Sequence, residues 1–233
     1  MRRFLIGCGI LAPALYVATD LLAANSYPAY HSYTARAVSE LMARGAPTEK
    51  LVDPLFFFYG ILMIGFSLGV WLFDERRRVH ATAGLLFAYA SLGLLGPTLF
   101  EMNLRGSAPS TADALHLALT GVLVLLLFGA VLAGATIRGR GFLLYSYATV
   151  AIMLIFGALS AFGARGLATG EPTPWVGLLE RINIGAFLAW SAVLSVSLLR
   201  ATRPKPPEVR LPPPLLRVQR QEHLSSHGLR GAS

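Results

Sequence analysis

The stretch FLIGCGILAPALYVATDLLAA, Phe4 to Ala24, decides how this chain is read. About 20 helical residues at 1.5 Å each cross a ~30 Å hydrocarbon layer. This run has that length and holds one charged group, Asp20. Met1-Arg2-Arg3 would suit a signal peptide, but the length of the run, Pro13 and Asp20 favour a retained span. Five further apolar runs have similar length: Val52–Phe73, Ala81–Phe100, Leu115–Ile137, Phe142–Phe162 and Ile182–Leu199. The ten-residue alternation of a membrane β-barrel is absent. Of the 233 residues, 55% are hydrophobic and only 14% charged, too apolar for an ordinary soluble domain. The expected fold is all-α, a polytopic membrane bundle of six transmembrane helices over residues 1–200.

Basic residues set the expected orientation. With the N-terminus inside, the inner segments hold 14 of the 20 Lys and Arg with four acids, net +10; the outer segments hold six with eight acids, net −2. The two make up the formal +8 of the chain. Both termini are therefore expected in the cytoplasm, with the bundle in the cytoplasmic membrane. The same distribution assigns the positive charge to topology and anionic lipid headgroups, not to nucleic acid, since no aromatic-interleaved basic module is present. Residues 201–233 carry Pro204, Pro206, Pro207, Pro212, Pro213 and Pro214 and read as a basic, disordered cytoplasmic tail. Cys8 is the single cysteine, so no intramolecular disulfide forms.

The longest outer loop runs over residues 25–50. Ala35, Val38, Leu41 and Met42 share one helical stripe and Arg36, Glu40 and Arg44 another; Gly45 and Pro47 follow as a stop. A short amphipathic helix over Thr34–Arg44 is expected, with Glu40 paired to Arg44 and the apolar stripe capping the bundle or lying on the membrane. Gly65 and Gly69, and Gly84, Gly93 and Gly96, have the spacing of close helix packing, with a homo-oligomer face as the alternative.

The ionisable groups at membrane depth cluster on the outer side. Asp20 lies about one turn from the outer end of the first span, Glu101 just after the third and His116 early in the fourth. A charge facing lipid is costly, so all three are expected to point inward and to converge in one outward-facing pocket, as the candidate catalytic set. His31, Ser39, Glu40, Asn103, Glu180 and Arg181 are candidate ligand-binding residues around its mouth. Each has a plainer reading. Asp113, three residues after Ser110, is a capping-box acid. Glu180 at a helix start suits the dipole, and His31 between Tyr30 and Tyr33 suits an aromatic belt. His31, His116, Asp20 and Glu101 would make a zinc set, yet no HExxH or CxxC spacing singles out a metal, and the cofactor is unknown. Ser32 and Ser39 lie near His31, but no GxSxG elbow is present.

Three stretches carry a resemblance: residues 30–41, YHSYTARAVSEL; Phe100 to Arg105 with His116; and Gly177-Leu178-Leu179-Glu180-Arg181. Over the membrane region to about Arg200 the chain resembles the bacterial six-helix membrane proteins grouped as domain of unknown function 998. Where that family's pattern suggests Phe-Pro-x-Asp, this chain has Phe100-Glu101-Met102-Asn103, so Glu101 either substitutes for the family's acid or Asn103 has disabled it. The resemblance implies topology and flags residues, and it supplies no reaction. Two functions remain open. One is an enzyme or binder acting on lipid-linked or periplasmic molecules. The other is a non-enzymatic sensor, transporter component or structural protein, with membrane lipids as partners and protein partners unknown. Transport is weakened because the ionisable groups hug one side of the membrane, not its midplane.

Overall fold

The structure is a computed structural model describing residues 1–27, 32–108, 110–169 and 171–202. Its elements are α1 (Arg2–Ser26), a 3-10 helix (Val38–Met42), α2 (Glu49–Trp71), α3 (Arg77–Leu99), α4 (Thr111–Gly134), α5 (Arg140–Gly163), the short α6 (Arg165–Thr169) and α7 (Val176–Ala201). Six of the helices are long and apolar enough to cross a membrane. A helix pairs most of its backbone polar groups within itself, as hydrocarbon demands. Residues 203–233 of the expected tail, and His31, lie outside the described residues, while Ala201 still belongs to α7.

The helices pack as an arc, α4–α3–α2–α1–α7–α5. Close backbone approach explains the tightest seam. A Cβ on Gly69 would come within 2.6 Å of the Ile6 backbone nitrogen, and one on Gly9 within 2.5 Å of the Phe66 ring. With Gly65 against Cys8 Sγ, the Gly65/Gly69 stripe is thus used inside the bundle, between α1 and α2. Gly96 plays the same part against Leu119 of α4.

One end of the bundle carries the turns at residues 72–76 and 135–139 with Arg76, Arg77, Arg78, Arg138 and Arg140 in and beside them; this is the arginine face. The other carries the loops at 32–48, 100–110 and 164–175; this is the cap face. Toward the arginine face the arc closes around Trp190, fully buried, whose indole N–H donates to Ser146 Oγ at 3.0 Å. Toward the cap face it parts. The buried positions of α4 (Leu127, Ala130, Val131, Gly134) and α5 (Phe142, Ser146, Thr149, Met153) all lie in the halves nearest the arginine face. Residues 111–126 and 154–163 contain none.

The expected helix over Thr34–Arg44 is corrected to the five-residue 3-10 helix Val38–Met42, flanked by extended Ala37 and Ala43. Its backbone takes tertiary partners where an α-helix would pair with itself. Thr48 Oγ1 donates to the Leu41 carbonyl at 2.7 Å, the Arg44 N–H donates to the Met102 carbonyl at 2.8 Å, and the Leu178 N–H donates to the Thr34 carbonyl at 3.0 Å. The segment does cap the bundle: Val38 and Leu41 are buried with Ala23, Ala24 and Val52.

Candidate functional site

The cap face is built on two arginine–carboxylate clamps. Asp20, on the last turns of α1, receives both prongs of Arg181 from the first turns of α7: Nε to Oδ2 at 2.9 Å and Nη2 to Oδ1 at 2.8 Å. The Tyr33 hydroxyl donates to the same Oδ2 at 2.8 Å. Arg181 Nη1 then reaches the carbonyls of Tyr33 (2.8 Å) and Arg36 (2.9 Å), and the guanidinium stacks 3.9 Å over the Tyr33 ring. Only Arg has enough donors in a fixed plane to hold a carboxylate and two carbonyls at once. Burial, then the hydrogen bond to Asp20 and its negative charge, raises the Tyr33 phenol above its ordinary value.

Glu40 is the second clamp, with its side chain almost entirely buried. Arg105 donates Nε to Oε1 at 2.6 Å and Nη2 to Oε2 at 3.0 Å; the Ala37 N–H adds 2.8 Å to Oε2 and Arg36 adds 3.3 Å to Oε1. Arg105 also ties in Thr173 Oγ1 at 2.8 Å and the Ala35 carbonyl at 3.0 Å. Thus one side chain joins three loops. Glu180 accepts the Val38 N–H at 2.8 Å, fastening the 3-10 helix to α7. Gly177 lets this strap lie close: a Cβ there would meet the carbonyl oxygens of Arg36 and Tyr33, the latter at 2.6 Å.

The predicted set Asp20, Glu101 and His116 is not brought together: each has a separate partner, and among the described residues no hydrogen bond or ion pair joins them. Glu101 pairs with Arg44 (2.8 Å) at the surface, where such a bond is worth about 0–1 kcal/mol. The hydrogen bond to Glu101, then its negative charge, raises the Arg44 guanidinium above its usual value. Arg44 was expected to hold Glu40; Arg105 displaces it because Arg44 sits beyond the end of the short 3-10 helix. His116 meets the Phe100 carbonyl through Nδ1 at 3.0 Å; a carbonyl only accepts, so that nitrogen carries the proton. Asn103 is engaged in the start of α4, its N–H and Nδ2 both 2.8 Å from Asp113 carboxylate oxygens and Nδ2 2.8 Å from Ser110 Oγ. Ser110 and Asp113 form the expected capping box. Ser39 is half-buried on the 3-10 helix.

Among the described residues no three His, Cys, Asp or Glu side chains lie close enough to hold a metal, so the zinc set is not assembled there. Sequence reasoning left Arg105, Arg36, Tyr33 and Thr173 outside the site. The only signal was arithmetic: the outer loops hold buried-depth acids that need cations, and Arg105 is one of few available.

One polar group stands apart. Asn183 Oδ1, on α7 two turns below its start, is buried without a hydrogen-bond partner among the described residues. It lies against Gly157 of α5, where a Cβ would sit 3.4 Å from it. That is the level at which α4 and α5 part.

Six apolar spans in one bundle, with a cap tied by buried ion pairs, define a polytopic α-helical membrane protein. More particularly, the chain belongs to the family described as protein of unknown function (DUF998), whose model matches residues 10–197. No curated protein and no solved structure matches it.

Proposed function

We propose that this protein binds an amphiphile from the outer leaflet of a cell membrane, its cap face outward and both termini cytoplasmic. The ligand enters sideways where α4 and α5 part. The observation that carries this reading is the Asn183 carbonyl oxygen. A buried acceptor left unpaired costs about 1–3 kcal/mol, and the cost is removed when a ligand supplies the donor. An acceptor calls for an N–H or O–H, so the favoured ligand is a lipid-linked molecule with a hydroxyl- or amide-bearing headgroup. Its chains would cover residues 111–126 and 154–163, none of which is buried by the protein.

Binding is favoured over catalysis because Asp20 and Glu40 are held in bidentate clamps that neutralise them and fix their geometry. An acid so held is a poor proton carrier. The distribution of arginines supports the orientation.

The test is lipid analysis of purified protein. The natural chain should retain one hydroxyl- or amide-headed class at several times its share of the membrane, and Asn183→Leu should lose that enrichment while still inserting and purifying intact. Identical lipid profiles in the two proteins, or a profile matching bulk membrane, would sink the proposal.

A further inference from the structure

At the opposite end of the bundle, the start of α3 and the turn between α4 and α5 border a half-open cavity of about 240 Å³ lined by Arg76, Arg77, Arg78, Val79, Thr136 and Ile137. A water occupies about 30 Å³ of liquid, so the space takes several waters or one phosphate group with its oxygens solvated. Its walls are tied to one another: Arg78 Nη1 donates to Thr136 Oγ1 at 2.6 Å, and Arg76 Nη2 reaches toward the Ile137 carbonyl at 3.5 Å. Arg76, Arg77 and Arg78 are exposed, and the bonds of Arg76 and Arg78 brace the cavity across the two turns.

The charge is not cancelled locally. Arg76 is taken by Asp74, with Nε 2.7 Å from Oδ2. The Arg76 backbone N–H, followed by its guanidinium, holds the Asp74 carboxyl below its usual range, so that pair stays ionised and internally neutral. Arg77 and Arg78 have no carboxylate partner among the described residues. Glu75 is the one other acid in the two turns, against Arg138 and Arg140 on the far side. A pocket with two uncompensated guanidinium groups and a hydroxyl wall is suited to an anion with several acceptor oxygens, which the planar Arg fork engages in pairs.

The position selects among anions. α3 is a membrane span beginning at Arg77, so the cavity sits at the level where phospholipid phosphates lie. Basic pockets between span ends on the cytoplasmic side are where anionic headgroups bind. We propose that this cavity is a phosphate-binding site, occupied by the headgroup of an anionic phospholipid, with Arg77 and Arg78 as the ligating side chains and Thr136 positioning Arg78. It is independent of the Asn183 reading, which concerns the other end and an uncharged donor.

The experiment is native mass spectrometry of the protein from neutral detergent, mixed with equal amounts of phosphatidylglycerol and phosphatidylcholine. The natural chain should retain the anionic lipid at least about fivefold over the zwitterionic one. Arg77→Gln with Arg78→Gln should bring that ratio to near one. Arg138→Gln with Arg140→Gln removes the same charge from residues that do not line the cavity, and should leave most of the preference. Arg77→Lys with Arg78→Lys keeps the charge and the topology signal but loses the fork, and should give an intermediate ratio; it also serves if the Gln pair fails to fold. Millimolar inorganic phosphate tests the source. Displacement of the lipid from the natural chain supports one shared phosphate site, whereas phosphate binding without lipid preference would overturn the headgroup assignment. Equal loss in the two Gln pairs would reduce the effect to diffuse charge and end the proposal.

Discussion

Replacing Arg181 by Met should open the cap. The substitution keeps the length and removes every donor from a side chain only 13% exposed, leaving the Asp20 carboxylate, 9% exposed, with the Tyr33 hydroxyl alone. Removing one member of a buried pair costs about 3–5 kcal/mol, because the survivor stays charged and unpaired. At 1.4 kcal/mol per factor of ten, local opening of residues 33–44 becomes roughly a hundredfold to a few thousandfold more frequent. Hydrogen exchange read by mass spectrometry on peptides from that segment measures it directly. The double variant Asp20→Leu with Arg181→Met should recover much of the loss, since no charge is stranded. It should not recover all: the carbonyls of Tyr33 and Arg36 lose their donor, at about 0.5–1.5 kcal/mol each. The reasoning is refuted if Arg181→Met changes exchange less than about threefold, or if the double variant costs the full sum of the two single ones.

Other outcomes follow from the same geometry. Gly177→Ala, which inside a helix ordinarily stabilises by about 1 kcal/mol, should here loosen the cap and lower the melting temperature, because its Cβ meets the backbone oxygens of Arg36 and Tyr33. The Tyr33 phenol titrates above its ordinary value in the folded cap, so its contribution is complete below the unfolded pKa and is lost as pH rises through the folded one. Cap protection should hold into alkaline pH and then fall, and Tyr33→Phe should abolish that step; an unchanged step would assign it elsewhere. In a Cys8→Ala background, a cysteine at exposed Pro47 should be labelled from outside intact cells and one at Ser225 should not. The reverse pattern overturns the orientation. Asp113→Ala should cost about 1 kcal/mol at the start of α4 by removing the Asn103 and Ser110 bonds, detectable as faster exchange at residues 110–114.

The amino-acid sequence alone determines the six spans, because twenty consecutive apolar residues have few alternatives to a membrane helix, and the positions of those runs are local facts. It also determines the Ser110–Asp113 cap, a three-residue relation; the apolar stripe of residues 38–41 left a bundle cap and a membrane-surface helix open, and only the packing against Ala23, Ala24 and Val52 chose the cap. The partners of the charges were decided only in three dimensions. Glu40 with Arg44 satisfied helical spacing, yet Glu40 is buried and needs a donor that can reach inside; Arg105, 65 residues away, does so with two prongs, while Arg44 is left at the surface with Glu101. Asp20, Glu101 and His116 share a depth in the sequence, yet each takes a different partner: Arg181, Arg44 and the Phe100 carbonyl. Depth follows from residue number along a helix, whereas azimuth depends on how each helix turns its face to its neighbours, and that is set by packing contacts such as Gly69 against Ile6. The same distinction explains the parting of α4 and α5: both hold an apolar run of membrane length, and only the tertiary arrangement distinguishes the half that packs toward Trp190 from the half with no buried side chain.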